Sequence, residues 1–396
     1  MTAGVPATTD RASLLHRVRE RLAAGTAQPT PEVMAEAIKM ETGGVLGDTD
    51  LLAALRYLQT ELVGAGPLEA LLAEPGVSDI LVVGPEHVWI DRGGGLERSA
   101  LTFADDGAVR RLAARLALAA GRRLDDAQPW VDGQLSAFGR QGYSVRLHAM
   151  LPPLAVDGTC LSLRVLRPAT QDLTALIASN AIPAEAVPIV ESTIADRRAF
   201  LIVGGTGTGK TTMLSAMLGR VDPGERIVCV EDAVELAPLH PHVVRLVART
   251  ANVEGAGSIA VRELVRQALR MRPDRIVVGE VRGAEVIDLL TALNTGHDGC
   301  AGTLHANSTA EVPARMEALA ALGGMARAAL HSQLAAAVQV VFGVARFPDG
   351  SRGLAEIGGV CRGSDGLVSI EPIWLRDSGF VDSGDYSART DDRHRR

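Results

Sequence analysis

The chain is 396 residues long, 47% hydrophobic and 22% charged, with a formal net charge of −7. That length supports two or three domains, each with its own core. The negative balance argues against a generalised nucleic-acid binder while leaving a local basic channel open, and six Phe, three Trp and three Tyr leave few platforms for base stacking.

In chain order, residues 1–60 are polar and helix-rich, and the apolar period of Leu51–Leu62 predicts a helix before the break Gly64-Ala65-Gly66-Pro67. This segment reads as a helical N-terminal extension. Asp10, Arg11, Arg17, Arg19, Glu20 and Arg21 stand where a signal peptide needs an apolar centre, and no stretch offers ~18 uninterrupted apolar residues. The expected location is the cytoplasm. Residues 61–166 alternate short strand patterns, DILVV from Asp79 and HVWI from His87, with glycine turns and one helix near Gly107–Ala120. They read as a small α/β domain. A connecting stretch, 167–184, contains Pro168 and Pro183; residues 185–376 then alternate strand and helix as a second α/β domain, and the polar 377–396 read as a disordered tail. Cys160, Cys229, Cys300 and Cys361 are far apart with no CxxC pair, which suggests buried thiols and neither a disulfide framework nor a zinc site.

The second domain carries the sharpest motif. Of forty basic residues only Lys39 and Lys210 are lysines, and Lys210 completes GGTGTGKT, Gly204–Thr211. The run fits GxxxxGK[ST], in which backbone N–H groups of Gly204, Gly205, Thr206, Gly207, Thr208 and Gly209 close around phosphate, the lysine reaches the β/γ oxygens and Thr211 holds Mg²⁺. A compact ammonium suits that niche and a planar guanidinium does not. The apolar run Ala199–Val203 before it and the helical pattern Lys210–Gly219 after it give the strand, loop, helix order that aims a helix N-terminus at an anion. Nucleoside triphosphate binding follows.

Two strand patterns behind the loop end in acids. RIVCV runs into Glu231-Asp232, with Glu235 four residues beyond Glu231, and Arg275–Val278 runs into Gly279-Glu280. Strand ends line the ligand crevice of an α/β sheet, where a carboxylate orders Mg²⁺ or the attacking water. Thr295–Asn307, TGHDGCAGTLHAN, gathers His297 and His305 at a spacing of eight, which does not suit a helical metal pair. Polar sensors of the phosphate state fit better, with ordinary buried histidines as the alternative.

Taken in order, GGTGTGKTT, IVCVEDAVEL, LRMRPDRIVVGEVRGAE and TGHDGCAGTLHAN resemble the Walker A, acidic, Walker B and histidine boxes of the type II/type IV secretion ATPases. Within that superfamily the chain is most similar to the motors of Tad/Flp pilus assembly, also described as conjugal-transfer-associated ATPases. GAGPLEALLAEPGVSDILVVGPEHVWID and SLRVLRP resemble parts of the family's N-terminal domain. Two departures stand out. The four-cysteine zinc module of some relatives is missing, and the family's Asp-Gly-Ser-Arg turn is replaced by GRQGYSVR, Gly139–Arg146.

The resemblance implies a RecA-like P-loop ATPase domain preceded by a small α/β domain and a helical extension, with ATP and Mg²⁺ as cofactors. It places Gly204–Thr212 on the phosphates, with Lys210 on the β/γ oxygens and Thr211 on Mg²⁺. Glu231 and Glu280 stand near the metal and lytic water, with Glu280 favoured for the Walker B role, beside Glu235 of the acidic box. His297 and His305 become coupling residues, and Arg146 and Arg164 close over the triphosphate. A homo-hexamer working on a polytopic inner-membrane platform, and through it on pilin or a secreted protein, is the implied assembly. A DNA-transfer ATPase and a non-hydrolysing ring are the competing readings; the presence of both Lys210 and Glu280 disfavours the latter.

Overall fold

The computed structural model describes residues 17, 18, 21, 31–43, 54, 55, 64–138, 143–166, 169–249, 251, 256–294 and 296–381. The chain divides between Leu166 and Arg167 into two compact units. The helix read over Leu51–Leu62 lies outside the described residues except for Ala54 and Leu55, which are helical. Upstream, helix α1 (Pro31–Glu41) ends at Glu41, whose carboxylate pairs with Arg17 and Arg21.

The first unit is an antiparallel sheet in the order β3-β2-β1-β6-β5-β4, with β1 Asp79–Val83, β2 His87–Asp91, β3 Leu96–Arg98, β4 Trp130–Phe138, β5 Tyr143–Met150 and β6 Cys160–Leu166. A short helix, α2 (Glu69–Leu72), precedes it. Alternation sends Ile80, Val82, Leu161, Leu163, Val145 and Leu147 to one face, where they share a core with Val109, Leu112 and Leu116 of helix α3 (Asp106–Ala119). The Asp105 carboxylate caps that helix by accepting from Ala108 N at 2.6 Å. Charged residues take the opposite face of the sheet, as a half-buried antiparallel strand requires. Residues 139–142, between β4 and β5, lie outside the described residues.

The second unit has nine strands in the order β15-β14-β13-β12-β7-β11-β10-β8-β9. Here β7 is Phe200–Val203, β8 Ile227–Glu231, β9 Val243–Val247, β10 Arg275–Val281, β11 Ala301–Leu304, β12 Val340–Arg346, β13 Arg352–Arg362, β14 Val368–Leu375 and β15 Gly379–Phe380. From β12 to β9 all pairings are parallel. Parallel strands are buried on both faces, which is why FLIV and AGTL contain no polar alternation and are wholly buried. One face holds α4 (Leu173–Ala178), α5 (Val187–Ala195) and α6 (Lys210–Leu218); the other holds α7 (Val261–Ala268), α8 (Glu285–Leu293), α9 (Val312–Leu322) and α10 (Arg327–Ala337).

Two boundaries differ from the sequence reading. Most of the stretch read as a connector is built into the second unit: Asp172 caps α4 through Ala175 N at 2.7 Å, and Leu173 and Leu176 join the core. Proline masked a six-residue helix too short to show a period. At the other end, the chain read as tail from 377 stays in the sheet to Val381, whose N–H donates to Ile373 O at 2.9 Å. Gly379, at φ +73°, makes the tight turn into β15 that other residues disfavour; residues 382–396 lie outside the described residues.

Candidate functional site

The strand order explains why four distant boxes meet. Strand β11 lies between the phosphate-loop strand β7 and the acid-bearing β10, with β8 next beyond β10, all pointing the same way. Their C-terminal ends therefore present Gly204, His305, Glu280 and Glu231 along one edge, the ligand edge of a parallel α/β sheet. Gly204 is fixed by packing, since a Cβ there would lie 2.3 Å from Val344 O on β12. Gly207 and Gly209 take φ of +71° and +100°, the left-handed region that lets the loop curl before α6.

Lys210 is 7% exposed, and its Nζ donates to Gly204 O at 2.9 Å and Gly205 O at 2.7 Å. Burial pulls its pKa below the ordinary lysine value, with the Glu280 charge opposing. Nζ also stands 3.4 Å from Nδ1 of His305, and the other ring nitrogen, Nε2, lies 2.7 Å from Glu280 Oε1. An ammonium facing Nδ1 makes that nitrogen the acceptor and puts the ring proton on Nε2. Burial, followed by Lys210, holds the His305 pKa below its usual value, so the ring is neutral at pH 7. Arg282 Nη2 donates to Glu280 Oε2 at 2.6 Å and lies 3.8 Å, through Nη1, from Asp232 of the acidic box. Burial alone would raise the Glu280 pKa, but Arg282, His305 and Lys210 together hold it below the ordinary carboxylate value. Lys210, His305, Glu280 and Arg282 thus form one continuous line of contacts.

Glu280 is aimed by a β-bulge. Val278 pairs with Gly302 and Val281 with Leu304, so Gly279 and Glu280 occupy the space of one residue. The Thr303 hydroxyl pins the bulge by donating to Gly279 O at 2.6 Å. Glu231 packs over Gly279, where a Cβ would come within 2.8 Å of Glu231 Cγ. Neither Thr303 nor Arg282 is singled out by sequence reasoning; the bulge depends on cross-strand register, and only the glycine before Glu280 hints at it.

The second acid is differently placed. Glu231 is 3% exposed; Oε1 accepts from Glu235 N at 3.1 Å and Leu236 N at 2.8 Å, while Oε2 has no hydrogen-bond partner among the described residues. Desolvation raises its pKa from 4.5 to about 7, against those two backbone bonds. Glu235 accepts from Thr211 Oγ1 at 3.3 Å, which ties the acidic box to the hydroxyl proposed for the cation. The incoming chain docks here too: Ala169 N donates to Glu235 O at 3.1 Å, and Ser215 Oγ of α6 donates to Ala169 O at 2.7 Å. The buried carboxylate oxygen left over at Glu231 Oε2, with the Glu280 carboxylate one strand away and a threonine hydroxyl on the loop, is the donor chemistry of a hydrated Mg²⁺.

A carboxyl whose folded pKa exceeds its unfolded value holds its proton tightly in the fold, so the stability it lends below pH 4.5 is lost as pH rises through about 7. By linkage the ionised Glu231 costs about 3 kcal/mol at pH 8. Without nucleotide, Glu231→Gln is therefore expected to melt above wild type at pH 8 and level with it at about pH 4. Equal melting at pH 8 would show that Glu231 carries no buried charge.

One expected site residue of this unit, His297, stands apart from the loop. His297 precedes β11 and contacts Ala292 O at 3.3 Å, while His305 follows it. The spacing of eight spans the strand and carries the two rings to opposite ends, so His297 is not brought to the phosphate loop. In the first unit Arg146 and Arg164 are cross-strand partners; Arg146 pairs with Asp132 at 2.9 Å and Arg164 with Asp79 at 2.8 Å.

A phosphate loop with a buried lysine, a bulge-aimed glutamate one strand removed and a second acid beyond it define a P-loop ATPase. A family model described as "Type II/IV secretion system protein" matches residues 61–346, and the chain belongs to that family. It is 68% identical over 85% of its length, and 96% of the relative's, to a Mycobacterium tuberculosis protein provisionally named for conjugal transfer. The type IV secretion system protein PtlH of Bordetella pertussis is 30% identical over 61% of this chain and 76% of its own. The crystal structure of the pilus retraction motor PilT with bound ADP shares the fold, with a TM-score of 0.52 at 21% identity over 73% of this chain and 81% of that one.

Proposed function

We propose that the chain is an Mg-ATP-driven ring motor, a homo-hexamer that powers assembly of a Tad/Flp-type pilus or secretion of protein substrates through a polytopic inner-membrane platform. The observation that carries this reading is the unbroken contact line from Lys210 through His305 to Glu280 and Arg282. A change at the β/γ phosphates has a physical route to the acidic box and to the surface beyond it. Gly204–Thr212 cradle the phosphates, Thr211 holds Mg²⁺, and Glu231 and Glu280 hold the ion's water. A Mg²⁺ ion held there would supply positive charge against the transferring phosphoryl group. Glu280 orients the attacking water, and Glu235 couples Thr211 to the incoming chain at Ala169. Arg146 and Arg164 add positive charge at the transition state once released from their aspartates. His297 serves coupling away from the phosphates.

Among the described residues no helix is long and apolar enough to cross a membrane. In a head-to-tail ring bound ATP adds contacts to the closed state. Light scattering is expected to find a hexamer with Mg²⁺ and a non-hydrolysable ATP analogue. A chain that stays monomeric at high concentration under those conditions contradicts the ring.

The conjugal-transfer name of the 68% identical relative favours one other reading, a motor for DNA transfer with the same chemistry. Tight, steeply salt-dependent DNA binding selects it over the pilus reading.

A further inference from the structure

The segment that carries His305 runs across the sheet edge beside the phosphate loop. Leu304, Val203, Gly343 and Glu356 form one cross-strand row over β11, β7, β12 and β13. His305 follows Leu304 and the phosphate loop follows Val203, and the chain from His305 to Ser308 passes the ends of β7 and β12 to reach β13 at Thr309. On the way His305, Ala306 and Asn307 wall, with Gly204 and Gly205, a cavity of about 480 Å³.

Thr309 opens the turn Thr309–Glu311 that leads into α9, so its N–H is one of the donors that a helix start leaves without a local acceptor. The spacing Ser308-x-x-Glu311 is that of a capping box, yet neither side chain plays the part. Ser308 makes no capping hydrogen bond, and Glu311 Oε2 accepts instead from Asn307 N at 2.9 Å and Nδ2 at 3.1 Å. The Thr309 N–H is held from 47 residues away, donating to Glu356 Oε1 at 2.6 Å. A carboxylate at that point also faces the positive end of the helix dipole.

Glu356 is itself built into the sheet. Its side chain lies across Gly343, where a Cβ would come 2.5 Å from Glu356 Cγ, so a glycine is what leaves room for it. The β12–β13 pairing bulges between Gly343 and Val344, and Val344 O is the atom that packs against Gly204. The carboxylate thus joins the base of the phosphate loop to the far end of the histidine segment.

We propose that Glu356 is a positioning residue for ATP hydrolysis: by anchoring Thr309 it keeps His305 between Lys210 and Glu280. This rests on the reading of that contact line as the catalytic one. Glu356 acts through the placement of His305, whose Nε2 lies 2.7 Å from Glu280 Oε1. A short span fixed at both ends has little conformational freedom; released at Thr309, it gains freedom and the ring leaves its productive place.

The test separates reach from charge. Glu356→Asp keeps the charge and withdraws the acceptor by one methylene, while Glu356→Gln gives up the charge and keeps an oxygen at the same reach. Turnover, KM and ADP affinity are measured on the full chain with Mg²⁺ for both variants, for His305→Ala and for the double variant Glu356→Asp with His305→Ala. Glu356→Asp is expected to lower kcat by about 10- to 100-fold, with KM and ADP affinity within about twofold of wild type, and Glu356→Gln to restore most of the turnover. On the His305→Ala background Glu356→Asp should cost no more than about twofold further, because residues that act as a unit are not additive. Turnover in Glu356→Gln as low as in Glu356→Asp, a matching loss of ADP affinity, or a full additional loss on the His305→Ala background would overturn the inference. So would normal turnover in Glu356→Asp beside a slow His305→Ala, with the contact-line reading left standing. Wild-type turnover in His305→Ala would remove that reading and this inference with it.

Discussion

Lys210→Arg is expected to lose ATP hydrolysis as completely as Lys210→Ala, by about 10³-fold or more. The lysine is buried, and three groups surround its Nζ: Gly204 O, Gly205 O and His305 Nδ1. A compact ammonium with three donors satisfies that arrangement and still turns to the β/γ oxygens. A planar guanidinium is wider than the niche; it would displace a loop carbonyl or the His305 ring, and the His305–Glu280 contact with it. The scarcity of lysine elsewhere in the chain makes the substitution a sharp test, because charge alone is supplied by arginine at nearly every other position. Steady-state phosphate release measures it, and near wild-type turnover in the arginine variant would refute the assignment of a niche specific to an ammonium.

Local pattern made much of this site legible. A buried strand, a glycine loop and a helix announce themselves within twenty residues, and each acid box sits where an apolar run stops, so Lys210, Thr211, Glu231 and Glu280 are readable directly. His305 is readable as polar and near the boxes, but its place between Lys210 and Glu280 depends on β11 lying between β7 and β10. Sheet order is set by packing between segments far apart in sequence, and no local period records it. The same limit separates His297 from His305 only when the strand between them is seen. The Gly279–Glu280 bulge, the Thr303 hydroxyl on Gly279 O and the Arg282 ion pair are register effects of this kind. Helix α4 was concealed by its brevity and by the prolines around it.

Glu280→Gln is expected to bind Mg-ATP and to lose turnover by about 10²–10³-fold. The amide keeps the shape of the bulge, still packs beside Gly279, and retains an oxygen for Arg282. What it removes is the negative charge that Arg282, His305 and Lys210 stabilise, and with it the ability to orient water for attack. Glu231→Gln is expected to be less damaging to turnover, since a carboxyl with a pKa of about 7 is already half protonated near neutrality.

The most direct measurement is to incubate the full-length Glu280→Gln protein with Mg²⁺ and ATP, isolate it rapidly, and identify the nucleotide it carries. Intact ATP on the protein, with phosphate release reduced to the expected fraction of wild type, is the predicted result. Wild-type turnover would contradict the account, and so would a protein that binds no nucleotide, because Glu280 would then belong to the binding site and not to the chemical step.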